Sequence, residues 1–571
     1  MPPSLHPWLR PSWVHGLLLC ALTAAAYAGS LRAGFVFDDF ALVVYNQAIQ
    51  ELGRAGSLFG QDLWATADSG TASGYYRPLM SLSLALDWRL AGTSPALYHL
   101  HSLAWHLLAV WFLHRLLVIL TQPLPALLGA ALFALHPLQS EAVVWIAARN
   151  DLMGAALLLG ALLLLRPLGL APWRLGLGAV LAVGAVLSKE STLLLPLFLL
   201  LLDLAEHGRP RGWTRHAVLW GAVALHLAAR GLAGVNAAAA PPQVGWVLLG
   251  RKLPELAALA GSLLVWPWPL SVGRDLVGWS LATPALLVGL AVCALLVVGS
   301  LIRRQRLALV GLGWAALAVA PSLVAVADKG LFGERYLYLS LAGLGLALAA
   351  TLQALPRARL RWAGVALLVV VPWFLILHAR VLDWKDDVTL WRAAARDTPC
   401  TYVYAGLGHV LNRDGARGEA AEMFLLALRG SPPQREVCPR LMDLAATLGD
   451  IQRVVEVAGE AVDLGCRDPI TRGKYATYLV MSGRWERAVA LAGELEHADL
   501  EGRARLVLAA WGVVEGDCAR YREARADWPG DMDSQMQLLY HHGGHPELAR
   551  AASAGLLCGP SPASIPAREQ P

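Results

Sequence analysis

Eleven apolar runs, each long enough or nearly long enough to cross a bilayer core, crowd the first 380 residues and confine the fold to a bundle of membrane helices. They fall at about 13–30, 96–120, 124–136, 142–165, 173–188, 190–205, 214–231, 284–302, 307–327, 335–353 and 362–380. A twelfth stretch, about 247–270, is interrupted by Trp266-Pro267-Trp268-Pro269. It is expected as a re-entrant or interfacial helix, because proline removes backbone donors that lipid cannot replace. The segment Arg10 with Gly16 to Ala28 also fits a cleaved signal peptide, and either reading leaves residue 31 onward on the same side.

Charge separates these runs from the rest of the chain. Residues 1–380 carry 41 charged side chains and residues 381–571 carry 48. An ordinary soluble enzyme is excluded, and the expected organisation is a membrane domain over 1–380, a water-soluble domain over 381–558 and a disordered, Pro-rich tail over 559–571. The net charge of +5 sums a membrane body with 26 basic and 15 acidic residues and a tail with 21 and 27, so it does not point to nucleic acid. Only five of the 47 basic residues are lysine, an arginine bias typical of GC-rich bacterial genomes. Five of seven cysteines lie in the tail at irregular spacing, with no CxxC pair or zinc pattern. Disulfides in an oxidising compartment are compatible with them but cannot be assigned from the sequence.

Placing the N-terminus in the cytoplasm gives an inner face of thirteen basic and two acidic residues and an outer face of thirteen of each. The tail then lies outside, in the periplasm of a bacterium or the lumen of the endoplasmic reticulum of a eukaryote. Charged clusters at span ends gather on that outer side: Asp38-Asp39, Arg77, His136 with Glu141, Arg149, Lys189-Glu190 and Glu334-Arg335-Tyr336. Such charges are costly unless paired or facing water, so together they suggest a polar cavity. Each has a plainer alternative. Lys189-Glu190 could be a local ion pair, Glu141 a helix N-terminal carboxylate, His136 a packed histidine and Arg335 an interfacial anchor. Asp38-Asp39 resists such dismissal, since adjacent carboxylates need a cation, a metal or a substrate donor nearby. A carboxylate base beside several cations suits transfer from a lipid-linked phosphosugar, with arginine best matched to phosphate. Proton-coupled transport could use the same groups.

The tail repeats every 34 residues, marked by Gly415, Gly449 and Gly483. With Thr401 as the first position, Tyr404, Leu407, Gly408, Leu411, Ala420, Phe424, Ala427 and Pro432 occupy tetratricopeptide-repeat consensus positions. Further units start near 435 and 469, a degenerate one covers Arg503 to Trp528, and a capping helix is expected from Met532 to Leu557. The resulting concave surface suits peptide binding, or equally a spacer or self-association.

FVFDD, YYRPL, YHLHSLAWH, ALHPLQSEAVVWIAARNDL, LSKES, LVWPWPLS and GERYLYLS, in this order before a tetratricopeptide tail, resemble the transmembrane and tetratricopeptide repeat-containing protein O-mannosyltransferases. The resemblance covers about residues 12 to 435 well. It implies an all-α GT-C membrane glycosyltransferase of about eleven spans carrying an α-solenoid. The implied reaction moves mannose from dolichyl-phosphate mannose, or an analogous polyprenyl-phosphate donor, to Ser or Thr hydroxyls. By the same resemblance Asp38 and Asp39 carry the acidic catalytic motif. Arg77, Arg149, Lys189 and Arg335 are expected at the donor phosphate, Glu190, Glu334 and Tyr336 as supporting polar groups, and His136 and Glu141 at a divalent Mg or Mn ion. The expected partners are the bilayer, the lipid-linked sugar and an acceptor protein met through the repeats. The alternatives are a non-enzymatic envelope-assembly scaffold and a lipid-linked saccharide transporter or polymerase.

Overall fold

The computed structural model describes residues 10–65, 73–235, 245–275, 283–354, 359–431, 433–495, 502–526, 528 and 531–558, so the tail expected to be disordered lies outside the described residues. The chain divides into two compact units, Met1–Thr398 and Pro399–Pro571. This moves the boundary expected at 380/381. Helix Asp387–Asp397 belongs to the first unit because Asp387 Oδ1 accepts the Phe37 N–H at 2.7 Å and Trp391 meets the Phe37 ring edge-on.

In the first unit every apolar run is helical. Among the described residues, five segments have the length and composition to cross a membrane: Trp13–Arg32, Pro95–Leu120, Ile146–Leu165, Arg306–Asp328 and Glu334–Gln353. Pro123–Leu135 with Pro137–Val144 makes a sixth, bent by 47°. The remaining runs form Pro172–Ser188, Leu195–His207, Trp213–Leu232, Thr283–Ile302 and Arg359–Asp383. The Pro-interrupted stretch forms helix Gly245–Val265, which stops immediately before Trp266-Pro267. A two-residue antiparallel ladder joins Arg274–Asp275 to Leu331–Phe332. This is a polytopic α-helical membrane protein.

Glycine sets the closest helix crossings, as expected where apolar lipid gives no drive for association and packing must supply it. A Cβ on Gly343 would lie 2.6 Å from the Gly311 carbonyl oxygen, and one on Gly345 would lie 2.4 Å from that of Gly129. Helix Tyr338–Gln353 is thus clasped on two sides through its GLG step. Gly343→Ala should lower stability by about 1–3 kcal/mol, the usual cost of overpacking, read as a reduced melting temperature of the detergent-solubilised protein.

At the end of the bundle where helix Arg149–Leu165 terminates, Arg215 donates to Leu165 O at 3.2 Å and to both oxygens of Asp203 at 2.6 and 2.7 Å. His216 Nε2 lies 2.9 Å from Asp203 Oδ2, and Arg166 pairs with Glu206. Four residues counted by sequence as inner-face charges, Arg166, Asp203, Glu206 and Arg215, are therefore paired here, with Asp203 and Arg215 buried and Arg215 satisfying helix-terminal carbonyls.

Among the described residues the second unit stacks five helix pairs, from Thr401–Arg413 with Arg417–Arg429 to Met532–His542 with Pro546–Ser553. The expected single capping helix is a fifth pair. Its turn glycine, Gly544, has φ +87°, like Gly415, Gly449, Gly483 and Gly516 at +78° to +85°. It falls 28 residues after Gly516, off the 34-residue period, which hides it in the sequence. Disulfides Cys438–Cys466 and Cys518–Cys558 brace the array.

Candidate active site at one end of the bundle

The FVFDD segment leaves the first span in a strained turn. Phe37, a bulky residue, takes φ +52°, a conformation that costs about 1–3 kcal/mol and persists only when the surroundings impose it. Here Asp387 accepts its N–H, and its ring is held between Trp145 at 5.4 Å and Trp391 at 5.5 Å. The turn sends the two aspartates to different fates. Asp39 is fully buried, its Oδ2 accepting from Val36 N–H at 3.1 Å and its Oδ1 from Ala147 N–H at 2.7 Å. It pins the turn to the 145–148 segment. Asp38 is partly exposed, and among the described residues its carboxylate accepts no hydrogen bond. Burial raises its pKa to about 6, with the Arg335 guanidinium opposing the rise and the Asp387 charge adding to it.

The Arg335 charge acts on this carboxylate, while its own hydrogen bonds go elsewhere. Its backbone N–H donates to Glu141 Oε2 at 3.0 Å and its Nη1 to Glu141 Oε1, while its guanidinium lies 4.6 Å over the Trp145 ring and 5.0 Å over that of Tyr336. The paired, ring-stacked guanidinium is held in one orientation. Gly333 leaves room for it, since a Cβ there would lie 2.7 Å from Arg335 Nη1. Beyond it, Lys189 pairs with Asp151, and Arg77 donates from Nε and Nη2 to Glu190 Oε2, each at 2.8 Å. Burial lowers the Lys189 pKa, opposed by Asp151 and reinforced by the Arg77 and Arg335 charges, so the three cations share one electrostatic neighbourhood. Lys189 and Glu190 thus do not pair with each other but fasten two different elements.

Other expected site residues sit elsewhere. Arg149 is fully buried, paired with Asp87 and donating to Ser83 Oγ at 2.9 Å, Ser102 Oγ at 3.2 Å and Tyr98 O at 2.7 Å. It ties three helices together and does not face the cations above. Glu334, also fully buried, accepts from Ser271 N–H and Arg274 Nη1, each at 2.7 Å, and so holds the LVWPWPLS loop. Tyr336 supports Arg335. His136 accepts the Leu138 N–H at 3.3 Å and packs edge-on against Trp373, while Glu141 is engaged by Arg335. Among the described residues no group of three His, Cys, Asp or Glu side chains could hold a metal ion.

Two participants are not evident in the sequence. Asp387 lies beyond the expected domain boundary, although Asp386-Asp387 after the last span repeats the Asp38-Asp39 step after the first. Asp151 stands out there only as a neighbour of Arg149.

The fold and these buried ion pairs define a multi-pass membrane protein whose charged residues converge at one end of its helices. The chain is 34% identical to Protein O-mannosyl-transferase Tmtc1 of Drosophila melanogaster over 197 residues, 34% of this chain and 23% of the relative. It is 32% identical to Tmtc2 of the same fly over 225 residues, 34% and 24% of the two chains, and 31% identical to mouse TMTC3 over 147 residues, 26% and 16%. It is a relative of the TMTC protein O-mannosyl-transferases, and its matches span less than a quarter of each of these curated proteins. No family model and no solved structure matches it.

Proposed function

We propose that this chain is a GT-C membrane glycosyltransferase that moves a sugar, mannose by preference, from a polyprenyl-phosphate donor to a Ser or Thr hydroxyl of an acceptor protein. The observation that carries the proposal is the contrast at FVFDD: Asp39 is locked by two backbone N–H groups, while Asp38 is partly exposed beside Arg335. Asp38 takes the acceptor hydroxyl proton as that oxygen attacks the anomeric carbon. The bond from that carbon to the phosphate oxygen breaks with inversion, and polyprenyl phosphate departs with the bonding electrons. Arg335, Lys189 and Arg77 stabilise the departing phosphate. Each keeps N–H groups outside its carboxylate pair, and those carboxylates keep three neighbouring cations from repelling one another until the donor binds. Arg149 and Asp39 are positioning residues in this scheme, Glu334 shapes the adjoining loop, and no step is assigned to a metal.

Two disulfides within the repeat unit support its placement in an oxidising compartment, the periplasm or the lumen of the endoplasmic reticulum. The repeats there bind the acceptor chain. The test is sugar transfer by the purified protein in lipid, supplied with labelled polyprenyl-phosphate mannose and Ser/Thr peptides. Because the base acts only when ionised, activity should rise with pH through about 6 and fall below it. A rate unchanged between about pH 5 and 7 would rule out Asp38 as the base.

A further inference from the structure

We propose that the bundle carries a second anion site, at the end opposite Asp38, which binds the phosphate of an anionic glycerophospholipid. Helix Arg149–Leu165 separates the two ends, and its 17 residues span about 25 Å. Past its terminus a cavity of about 590 Å³ opens between two turns, lined by Leu168, Arg209, Pro210, Arg211, Gly212 and Trp213.

Both arginines are exposed, and neither has an ion-pair partner among the described residues. The nearby carboxylates are occupied: Asp203 by Arg215 and His216, Glu206 by Arg166. These pairs also shape the turn, because Asp203 Oδ2 accepts the Arg211 N–H at 3.0 Å and the Arg211 carbonyl accepts from Arg215. Gly212, at φ +59°, starts the 20-residue helix Trp213–Leu232 without a side-chain cap, so the helix's positive end opens into the same cavity.

Two unpaired guanidinium groups and a helix N-terminus would suit any phosphate. The apolar part of the cavity selects a lipid. Leu168 is 44% and Trp213 71% exposed, and Leu168 follows the candidate span Ile146–Leu165 by three residues, the position at which headgroups and acyl chains are expected to meet. A phosphate held by Arg209 and Arg211 would lay its acyl chains against these two side chains. Juxtamembrane cations each contribute about 1 kcal/mol toward anionic lipid, so the pair should favour it by about tenfold or more.

The experiment is native mass spectrometry of the full-length protein with equimolar phosphatidylglycerol and phosphatidylcholine, with and without excess inorganic phosphate. Phosphatidylglycerol should be retained about tenfold over phosphatidylcholine, resist inorganic phosphate, and lose its advantage in R209Q/R211Q. W213A should weaken retention of phosphatidylglycerol without altering charge. Both variants change exposed side chains, and their melting temperatures check that they fold. Equal retention of the two lipids, an unchanged preference in R209Q/R211Q, or complete displacement by inorganic phosphate overturns the proposal.

Discussion

Asp38→Asn should lower sugar transfer by about 10²–10⁴-fold, the usual contribution of a positioned general base, and leave melting of the purified protein unchanged. The side chain accepts no hydrogen bond among the described residues, so replacing the carboxylate by an amide breaks none. Removing the carboxylate charge gives up its attraction to Arg335 but also removes its burial cost and its repulsion from Asp387, so these effects oppose one another. Asp39→Asn should behave in the opposite way. Its two oxygens accept from two backbone N–H groups, and an amide NH₂ would face one of those donors. That leaves a buried donor unsatisfied at about 1–3 kcal/mol, so Asp39→Asn should fold less well and lose activity only with folding. Transfer retained by well-folded Asp38→Asn would overturn its role. Loss of activity in Asp39→Asn at wild-type stability would return the base assignment to the second aspartate.

Arg149→Ala should destabilise the protein more than Gly343→Ala or Asp39→Asn, by about 3–5 kcal/mol, because it removes the guanidinium from a buried carboxylate, Asp87, and leaves it only His101 as an ion-pair partner. Asp87 and Arg149 are each 0% exposed. Lysine should not restore the site, since one ammonium cannot reach Asp87, Ser83, Ser102 and the Tyr98 carbonyl in their planar arrangement. Replacing both partners with apolar residues, Arg149→Met with Asp87→Leu, should recover part of the loss. Unfolding in mild detergent measures these differences. If Arg149→Ala instead melted like wild type and only weakened donor binding, Arg149 would be a phosphate contact.

Much of the fold is legible in the amino-acid sequence. A bilayer demands long apolar helices, and a repeat must keep small residues wherever paired helices touch, so both patterns are written in one dimension. The fifth repeat pair is not legible there, because Gly544 breaks the period while adopting the same left-handed turn. Candidate site residues are legible as charges in places where charge is costly. Their division of labour is not. Nothing local separates Asp38 from Asp39, or Arg149 from Arg335.

The sequence by itself determined a charge-poor helical membrane body, a repeat-built tail and a small set of intramembrane charges that had to be partnered. Which charge meets which was decided by the tertiary structure alone. Partners lie 62 residues apart for Asp87 and Arg149, 113 for Arg77 and Glu190, 194 for Glu141 and Arg335, and 350 for Phe37 and Asp387. The physical reason is that burial makes each pairing obligatory without specifying its partner. Only the packing of the helices decides that Arg149 is fully enclosed and that Asp38 is left partly exposed beside Arg335.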